Sequence, residues 1–558
     1  MKSYGSQTID VPRYMQLLRL AEERTGASAW EEAAALWTQV VEINPTQGTS
    51  WARLGQARHR ARQYRQAIPA LERALHLGPF PDLVEYDYNH RWAPAYDIAR
   101  CYAQLGEKEQ ALAWLRRALE LGYRHRATIH QDEALQLLHD DERFRELAGS
   151  VNVSTMPRDE GWRHDLALLA QEIKRLHYDP FRHVSEAEFD ALVRLLHEDI
   201  PTLSDHQVIV GIMRMMRQLG DGHSVLALWE RGDLFPDAPV DFYLFPEGVF
   251  VTAAAPEYHH IVGAEVLAIG DHSTELAIAA LDPLIGRDNE MSARERMPFV
   301  LRKPSILHAL GLIPDPHAIP LTVRNTDGTV RTVRIAAGRD QVPDPPPDNW
   351  QSVPKSGPGA LPLYLKDAGC YWFEYLPDEK IVYFQYRSVR PDENEPFEQF
   401  CSRLFEFIEN NEVEKLVIDI RRNGGGNTLM HFPLFGGLAR SAKLRQGTRL
   451  FVVIGRQTFS AAMNAVTMLE GKSLEWGIPV IFVGEPTGAS PNFIGETTFV
   501  TLPYSKLRAS NSDLYWQTSW PMDTRVWLAP QLYAPPSFAA YRENRDPALE
   551  AILAYRDP

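Results

Sequence analysis

Arg456-Gln457-Thr458-Phe459-Ser460-Ala461-Ala462 is the stretch on which the reading of this chain turns. An unbroken apolar segment, 450–454, precedes it and reads as a buried parallel strand. The residues after it, 463–470, have helical spacing. A strand-to-helix turn places Ser460 at a helix N-terminus, where backbone N–H groups are unpaired and the dipole favours negative charge. Two roles are open there. The hydroxyl can cap the helix, or it can be a nucleophile whose attack builds an oxyanion beside those N–H groups. The rest of the chain has to choose between them.

The chain has 558 residues, enough for several domains, and its 44% hydrophobic and 23% charged residues are an ordinary globular balance. Its net charge of −15 argues against a nucleic-acid or anionic-membrane partner. The three cysteines, Cys101, Cys370 and Cys401, are far apart and lack metal-ligand spacing, so neither a disulfide framework nor a structural zinc is expected. The first residues have no apolar core of a secretory signal. No apolar run reaches the ~18 residues of a membrane span. The expected location is the cytoplasm.

Residues 14–150 are rich in Ala, Leu, Glu, Arg and Gln at helical spacing. A repeat of ~34 residues can be read off directly. Starting at Tyr14 it falls on Leu17, Leu20, Ala21, Ala33, Trp37, Val40 and Pro45. Starting at Gly48 it falls on Trp51, Leu54, Gly55, Ala67, Leu71, Ala74 and Pro79. A third unit near Trp92 gives Ile98, Ala99, Tyr102, Ala111, Leu115 and Ala118, after an insertion at 80–89. The pattern resembles the tetratricopeptide repeat. Helices at 129–148 are expected to cap the stack. Such a domain, 1–150, offers a groove for a protein partner, or it supports the remaining chain and makes a homo-oligomer.

Amphipathic segments at 162–177, 186–198 and 205–219 lead to Gly220-Asp221-Gly222-His223-Ser224. Gly220 reads as a helix C-cap, and the glycines form a tight turn that presents His223 ahead of a strand at 225–229. Farther on, strands at 371–375 and 381–386 and a helix at 395–410 precede a buried strand at 415–420. That strand runs into Asp419-Ile420-Arg421-Arg422-Asn423-Gly424-Gly425-Gly426. A strand at 480–483 ends in Gly484-Glu485-Pro486-Thr487. The alternation predicts an α/β core with a largely parallel sheet, right-handed crossovers and active residues at the carboxyl ends of the strands. Three glycines expose backbone N–H groups, as an oxyanion hole requires. A phosphate-binding loop would need a Lys-Ser/Thr ending or the dinucleotide spacing, and neither is present. Asp419, Arg421 and Asn423 are read as holding the turn.

GDGHS, DIRRNGGG and TFSAA in this order resemble the tail-specific, or C-terminal-processing, serine peptidase family, which includes the tricorn core protease. The resemblance covers 157–558. It implies a helical lead-in at 157–230, a PDZ-like module at 235–340 and a catalytic core at 364–558. Within the module, strands at 240–244 and 248–253, the segment 261–271 and a hairpin of 321–324 and 330–335 turning at Asp327-Gly328 fit a PDZ-like pattern. A helix-rich stretch at 292–312 is extra, and 341–362 reads as a linker. Such modules take an extended chain end by strand addition.

By resemblance Ser460 is the nucleophile, and the oxyanion donors are Gly424 or Gly425 together with Ala461. The common branch of the family has a lysine base shortly after the G-E-P-T motif. The aligned position here is Ser490, so a Ser-Lys dyad is not expected. The tricorn branch uses a histidine from the segment matching Gly222-His223, which assigns the base to His223, with His431 as its competitor. The acidic residue of that branch falls nearest Asp523, although the usual Pro-Asp nearby is Pro530-Gln531. Asp523 is the expected third member, with pairing to Arg525 as its alternative. The implied activity is hydrolysis of a peptide or protein substrate through an acyl-enzyme, without metal or organic cofactor. Two other readings stay open: a catalytically silent peptide-binding scaffold, and a relative that transfers the acyl group to an amine.

Overall fold

The computed structural model describes residues 10–78, 92–123, 126–148, 153–338, 341–343 and 345–556. The insertion read at 80–89, and Pro79 before it, lie outside the described residues. The chain divides into two compact units, Met1–Pro157 and Arg158–Pro558.

The first unit is a series of antiparallel helix pairs: Val11–Gly26 with Trp30–Ile43, Gly48–Arg60 with Tyr64–Leu77, and Trp92–Gln104 with Lys108–Glu120. The small repeat positions explain the pairing. Ala21, Ala33, Ala67, Ala99, Ala111 and Ala118 are fully buried. A Cβ on Gly55 would stand 2.5 Å from the Leu71 side chain, so the paired helices could not approach as they do. The expected capping helices at 129–148 are mostly absent. Two 3-10 segments, Arg126–Gln131 and Glu133–Leu138, precede one short helix, Glu142–Ala148. The Asp132 carboxylate accepts from the Ala134 N–H and interrupts any continuous α-helix there.

The second unit opens with Arg158–Leu176, Glu186–Asp199 and Asp205–Arg217. Capping boxes at Ser185/Glu188 and Ser204/Gln207 start the latter two. No full strand forms at 225–229. Leu226 makes a single bridge to Ala509, and the chain turns into a 3-10 segment at Leu228–Glu230.

Two sheets follow. An antiparallel seven-stranded sheet has the main order Val240–Phe245, Gly248–Ala254, Glu265–Ile269, Ala318–Arg324, Val330–Ala336. Part of the expected linker joins it, since Gln351–Ser352 pairs with Ala253 and Ala254. The helices Thr274–Leu281, Glu290–Leu301 and Pro304–Ala309 belong to the same region.

The other sheet has the order Leu532–Tyr533, Val480–Gly484, Arg449–Ile454, Lys415–Asp419, Ile381–Tyr386, Tyr371–Leu376. All neighbours in it are parallel except the last pair. Its apolar runs are continuous because both faces are buried. Leu416, Ile418, Leu450 and Val452 pack with Phe400, Leu404, Met463 and Val466 of the helices Phe397–Asn410 and Ala461–Trp476. Val417, Phe451 and Val453 point the other way, onto Ala548 and Ile552 of the helix Pro547–Ala554.

Candidate active site

Ser460 ends the turn after the strand Arg449–Ile454 and stands at the N-cap position of Ala461–Trp476, yet its side chain makes no capping hydrogen bond. Its backbone has φ 54° and ψ −127°, a pair of angles that glycine normally supplies at the first corner of a type II′ turn. A serine held there costs about 1–3 kcal/mol and persists only if its surroundings over-determine it.

The surroundings do so. Thr458 donates its hydroxyl to the Ile420 carbonyl and accepts from the Gly455 N–H, both at 3.1 Å. The Phe459 N–H donates to the Asn423 carbonyl at 3.2 Å, and the Asn464 N–H to the Ser460 carbonyl at 3.0 Å. Arg456 is buried and forks onto Glu485 at 2.9 and 3.0 Å while lying 4.5 Å over the Tyr243 ring. Gly484-Glu485-Pro486-Thr487 therefore anchors the serine loop: the buried pair holds Arg456 firmly protonated, and the Gly488 N–H donates to the Thr458 carbonyl at 3.1 Å.

The glycine turn packs directly on this loop. A Cβ on Gly425, whose φ is 107°, would lie 2.7 Å from the Ser460 Cβ and 2.9 Å from the Ala461 nitrogen. The Gly425 N–H is already taken by the Asn423 side-chain oxygen at 2.9 Å. Of the two glycines read as oxyanion donors, Gly425 is thus occupied, whereas Gly424 is exposed and borders open space. Asp419 and Arg421 brace the turn from below. Asp419 accepts from the Tyr383 hydroxyl at 2.5 Å and from the Arg421 N–H and Nε, and Arg421 forks onto Asp546 at 2.8 Å.

His223 arrives from the other side. Asp221 shapes its turn by accepting from the His223 and Ser224 N–H groups at 2.8 and 2.7 Å and from the Ser512 hydroxyl at 2.6 Å. The second Asp221 oxygen pairs with the buried His177 at 2.9 Å. The imidazole stacks on Phe459, the residue before the serine, at 4.4 Å, and on Phe493 at 5.7 Å. Arg296 lies 4.8 Å over the same Phe459 ring and donates to the Gly222 carbonyl at 2.6 Å. Asp288 accepts from the Gly222 N–H at 2.6 Å. Its other oxygen is buried without a partner, and burial, then the Asp221 charge, pushes its pKa up to about 7.

Both His223 ring nitrogens are buried and neither completes a hydrogen bond. Burial lowers the ring's pKa to about 4, with the Arg296 charge acting in the same direction and Asp221 and the Ile494 backbone opposing it. No hydrogen bond joins Ser460 to His223 among the described residues.

Three expected residues sit elsewhere. Asp523 does not serve the histidine: it accepts from the Ser519 hydroxyl at 2.5 Å and is clasped by Arg525, which also forks onto Glu470. The alternative pairing with Arg525 is the one the structure contains. The Ser490 hydroxyl donates to the Val526 carbonyl at 3.1 Å. His431 is buried with both nitrogens committed, Nε2 donating to the Ala461 carbonyl at 2.9 Å and Nδ1 accepting from the Tyr386 hydroxyl at 3.2 Å. Its free lone pair is gone, so it holds the serine helix rather than a proton in flight.

Arg296, Asp288 and Phe459 were not among the sequence candidates. Phe459 lies inside the decisive stretch, but only the fold brings the other two to it. Among the described residues no group of three His, Cys, Asp or Glu could hold a metal ion, and no helix is long and apolar enough to cross a membrane.

Comparison with known proteins adds the following. The tetratricopeptide repeat family matches residues 95–121. No curated protein matches the chain in sequence. Mature CPAF complexed with lactacystin is similar at 12% identity over 71% of this chain and 97% of its own, with a TM-score of 0.49. The type III secretion translocator chaperone SycD of Yersinia enterocolitica is similar at 20% identity over 25% of this chain and 87% of its own, with a TM-score of 0.17. SycD in complex with a peptide of the translocator YopD gives 19% identity over 25% and 95%, with a TM-score of 0.19.

Proposed function

We propose that the chain is a serine peptidase of the tail-specific type, with Ser460 as nucleophile and His223 as base. One observation carries this reading: Ser460 is held at positive φ with its hydroxyl withheld from the capping bond that its position offers. A residue kept in strain and denied its structural role is fitted for another. Ser460 Oγ attacks the peptide carbonyl, His223 takes the proton and returns it to the leaving amine, and water then hydrolyses the acyl-enzyme. The oxyanion is received by the N–H groups of Gly424 and Ala461. A base near 4 is neutral at pH 7 and ready to accept a proton. Its hydrogen bond to the serine closes in the substrate complex, as catalytic contacts often do. The region 235–340 acts as the PDZ-like module of such enzymes, and the repeats bind a protein partner.

The test is covalent labelling by a fluorophosphonate probe. The wild-type chain should label and Ser460→Ala should not; equal labelling of the two removes Ser460 from its role. A silent peptide-binding scaffold is the second reading, favoured by the unpartnered nitrogens of His223. It predicts no labelling of the wild-type chain at all.

A further inference from the structure

A cavity of about 290 Å³ lies at the carboxyl ends of three neighbouring parallel strands, where Arg421, Ile454 and Gly484 form part of its wall. Neither Ser460 nor His223 lines it. This end of a parallel sheet is where α/β folds hold ligands. The facing walls come from the strand Val240–Phe245 and the helix Glu290–Leu301.

The wall is built from arginine–aromatic stacks. Arg456 lies 4.5 Å over Tyr243, Arg421 4.4 Å over Tyr364 and Arg302 5.6 Å over Phe299, and all six residues line the cavity. Each of these arginines already has its anion: Glu485 for Arg456, Asp419 and Asp546 for Arg421, and Asp237 and Asp241 for Arg302. Arg294, Glu295 and Arg422 bring both signs to the remaining wall. The lining therefore calls for no net charge in a ligand. It offers aromatic surface and two phenols instead. Tyr364 is only 8% exposed, yet neither its hydroxyl nor that of Tyr243 has a hydrogen-bond partner among the described residues. Most polar groups so placed are paired within the protein. Burial raises both pKa values, so the phenols stay protonated. A cation over each ring draws on its electrons and makes the O–H a better donor.

We propose that this cavity binds a neutral, planar heteroaromatic ring whose acceptor atoms take hydrogen bonds from the Tyr243 and Tyr364 hydroxyls. A volume near the lower end of ligand pockets suits a molecule of one or two rings. The site also reaches the serine. Arg456 and Gln457 belong to its wall and open the stretch that carries Ser460. Arg456 donates to the Leu244 carbonyl at 2.9 Å as well as to Glu485, and so ties the strand Val240–Phe245 to the serine loop. A ring seated against Tyr243 braces that tie. On the peptidase reading, on which this last step rests, the ligand is an activator and not a substrate.

The test is titration of the full-length protein with hypoxanthine and quinazolin-4-one, followed by saturation-transfer NMR, with indole as a ring of similar shape that lacks an acceptor. Both acceptor-bearing rings should bind saturably and more tightly than indole. Tyr364→Phe removes only an unpaired hydroxyl and should weaken them roughly threefold to tenfold, leaving indole unchanged; Tyr243→Phe should do the same. Bound ring should slow amide exchange across 456–462 in the wild-type and Ser460→Ala proteins alike, and not in the double Tyr→Phe variant. No saturable binding, affinity equal to that of indole, or affinity untouched by both Tyr→Phe changes overturns the proposal. Ring binding with slowed exchange, in a protein that fluorophosphonate never labels, would sink the peptidase reading and leave the site standing. Labelling by a protein that binds neither ring would do the opposite.

Discussion

Two histidines with buried ring nitrogens flank the serine turn and differ in one respect. His431 has both ring nitrogens bonded, to Tyr386 and Ala461. His223 has neither bonded and lies against two aromatic faces. Burial lowers both to about 4, so titration alone cannot separate them. Hydrogen-bond accounting can. A histidine with its nitrogens paired is part of the scaffold, whereas one whose nitrogens are buried and unpaired is costly to the fold and points to a task outside it.

The sharpest break of this comparison is Ser460→Ala. It should lower peptide hydrolysis by more than ~10⁴-fold while the thermal midpoint stays put, since the hydroxyl makes no capping hydrogen bond and alanine keeps the same backbone angles. Next come paired substitutions of the histidines. His223→Phe should cut activity about 10²–10⁴-fold and leave stability unchanged or higher, because it preserves a stacked ring and removes unpaired nitrogens. His431→Phe should do the reverse. It strands the Tyr386 hydroxyl and the Ala461 carbonyl, costing about 1–3 kcal/mol for each buried orphan, with activity reduced far less. Denaturant melts and initial rates on the two variants measure both, and matching profiles would erase the distinction.

Gly425→Ala should fall between these effects, losing about 10²–10³-fold in rate through a displaced Ser460 and Ala461 N–H. A smaller effect is the pH profile. A base at about 4 keeps kcat/KM level from pH 7 to about 5 and lets it decline only towards pH 4; a limb centred near 6.5 would mean a solvated imidazole. The sign for stability follows from proton counts. Each histidine binds fewer protons folded than unfolded between ~4 and 6.5, so stability falls as pH falls through that window. Asp288, raised to about 7, works the opposite way across much of the same range and offsets one of the two histidines. The smallest change is expected for Asp523→Asn, within about threefold in rate, since its partners are Arg525 and Ser519.

How much of this was legible in the residues follows from their separation in sequence. The strand, turn and helix around Ser460 were readable because period and glycine placement are local. Asp419, Arg421 and Asn423 were readable as turn holders because each works within a few residues of its own backbone. The acidic partner expected for the proposed base was not. Asp523 lay at the right place in a pattern, but a carboxylate two residues from an arginine already has a partner, and the chain folds that pair onto Glu470. Arg296 was invisible because nothing in the helix it belongs to marks it; its meaning comes from the carbonyl of Gly222 and the face of Phe459, contacts between distant segments. The choice between Gly424 and Gly425 likewise depended on where the Asn423 side chain points. The capping helices at 129–148 failed for a local reason, an aspartate that bonds its own turn.

The stacking of His223 on Phe459 and Phe493 also equips the molecule with a built-in magnetic reporter. Circulating π electrons shield protons held above a ring face, so the imidazole carbon-bound protons should resonate well upfield of a free histidine. On the proposed mechanism an acylating ligand draws the ring towards Ser460; that shielding should then fall, and the displacement of one resonance would time the approach of the two side chains directly.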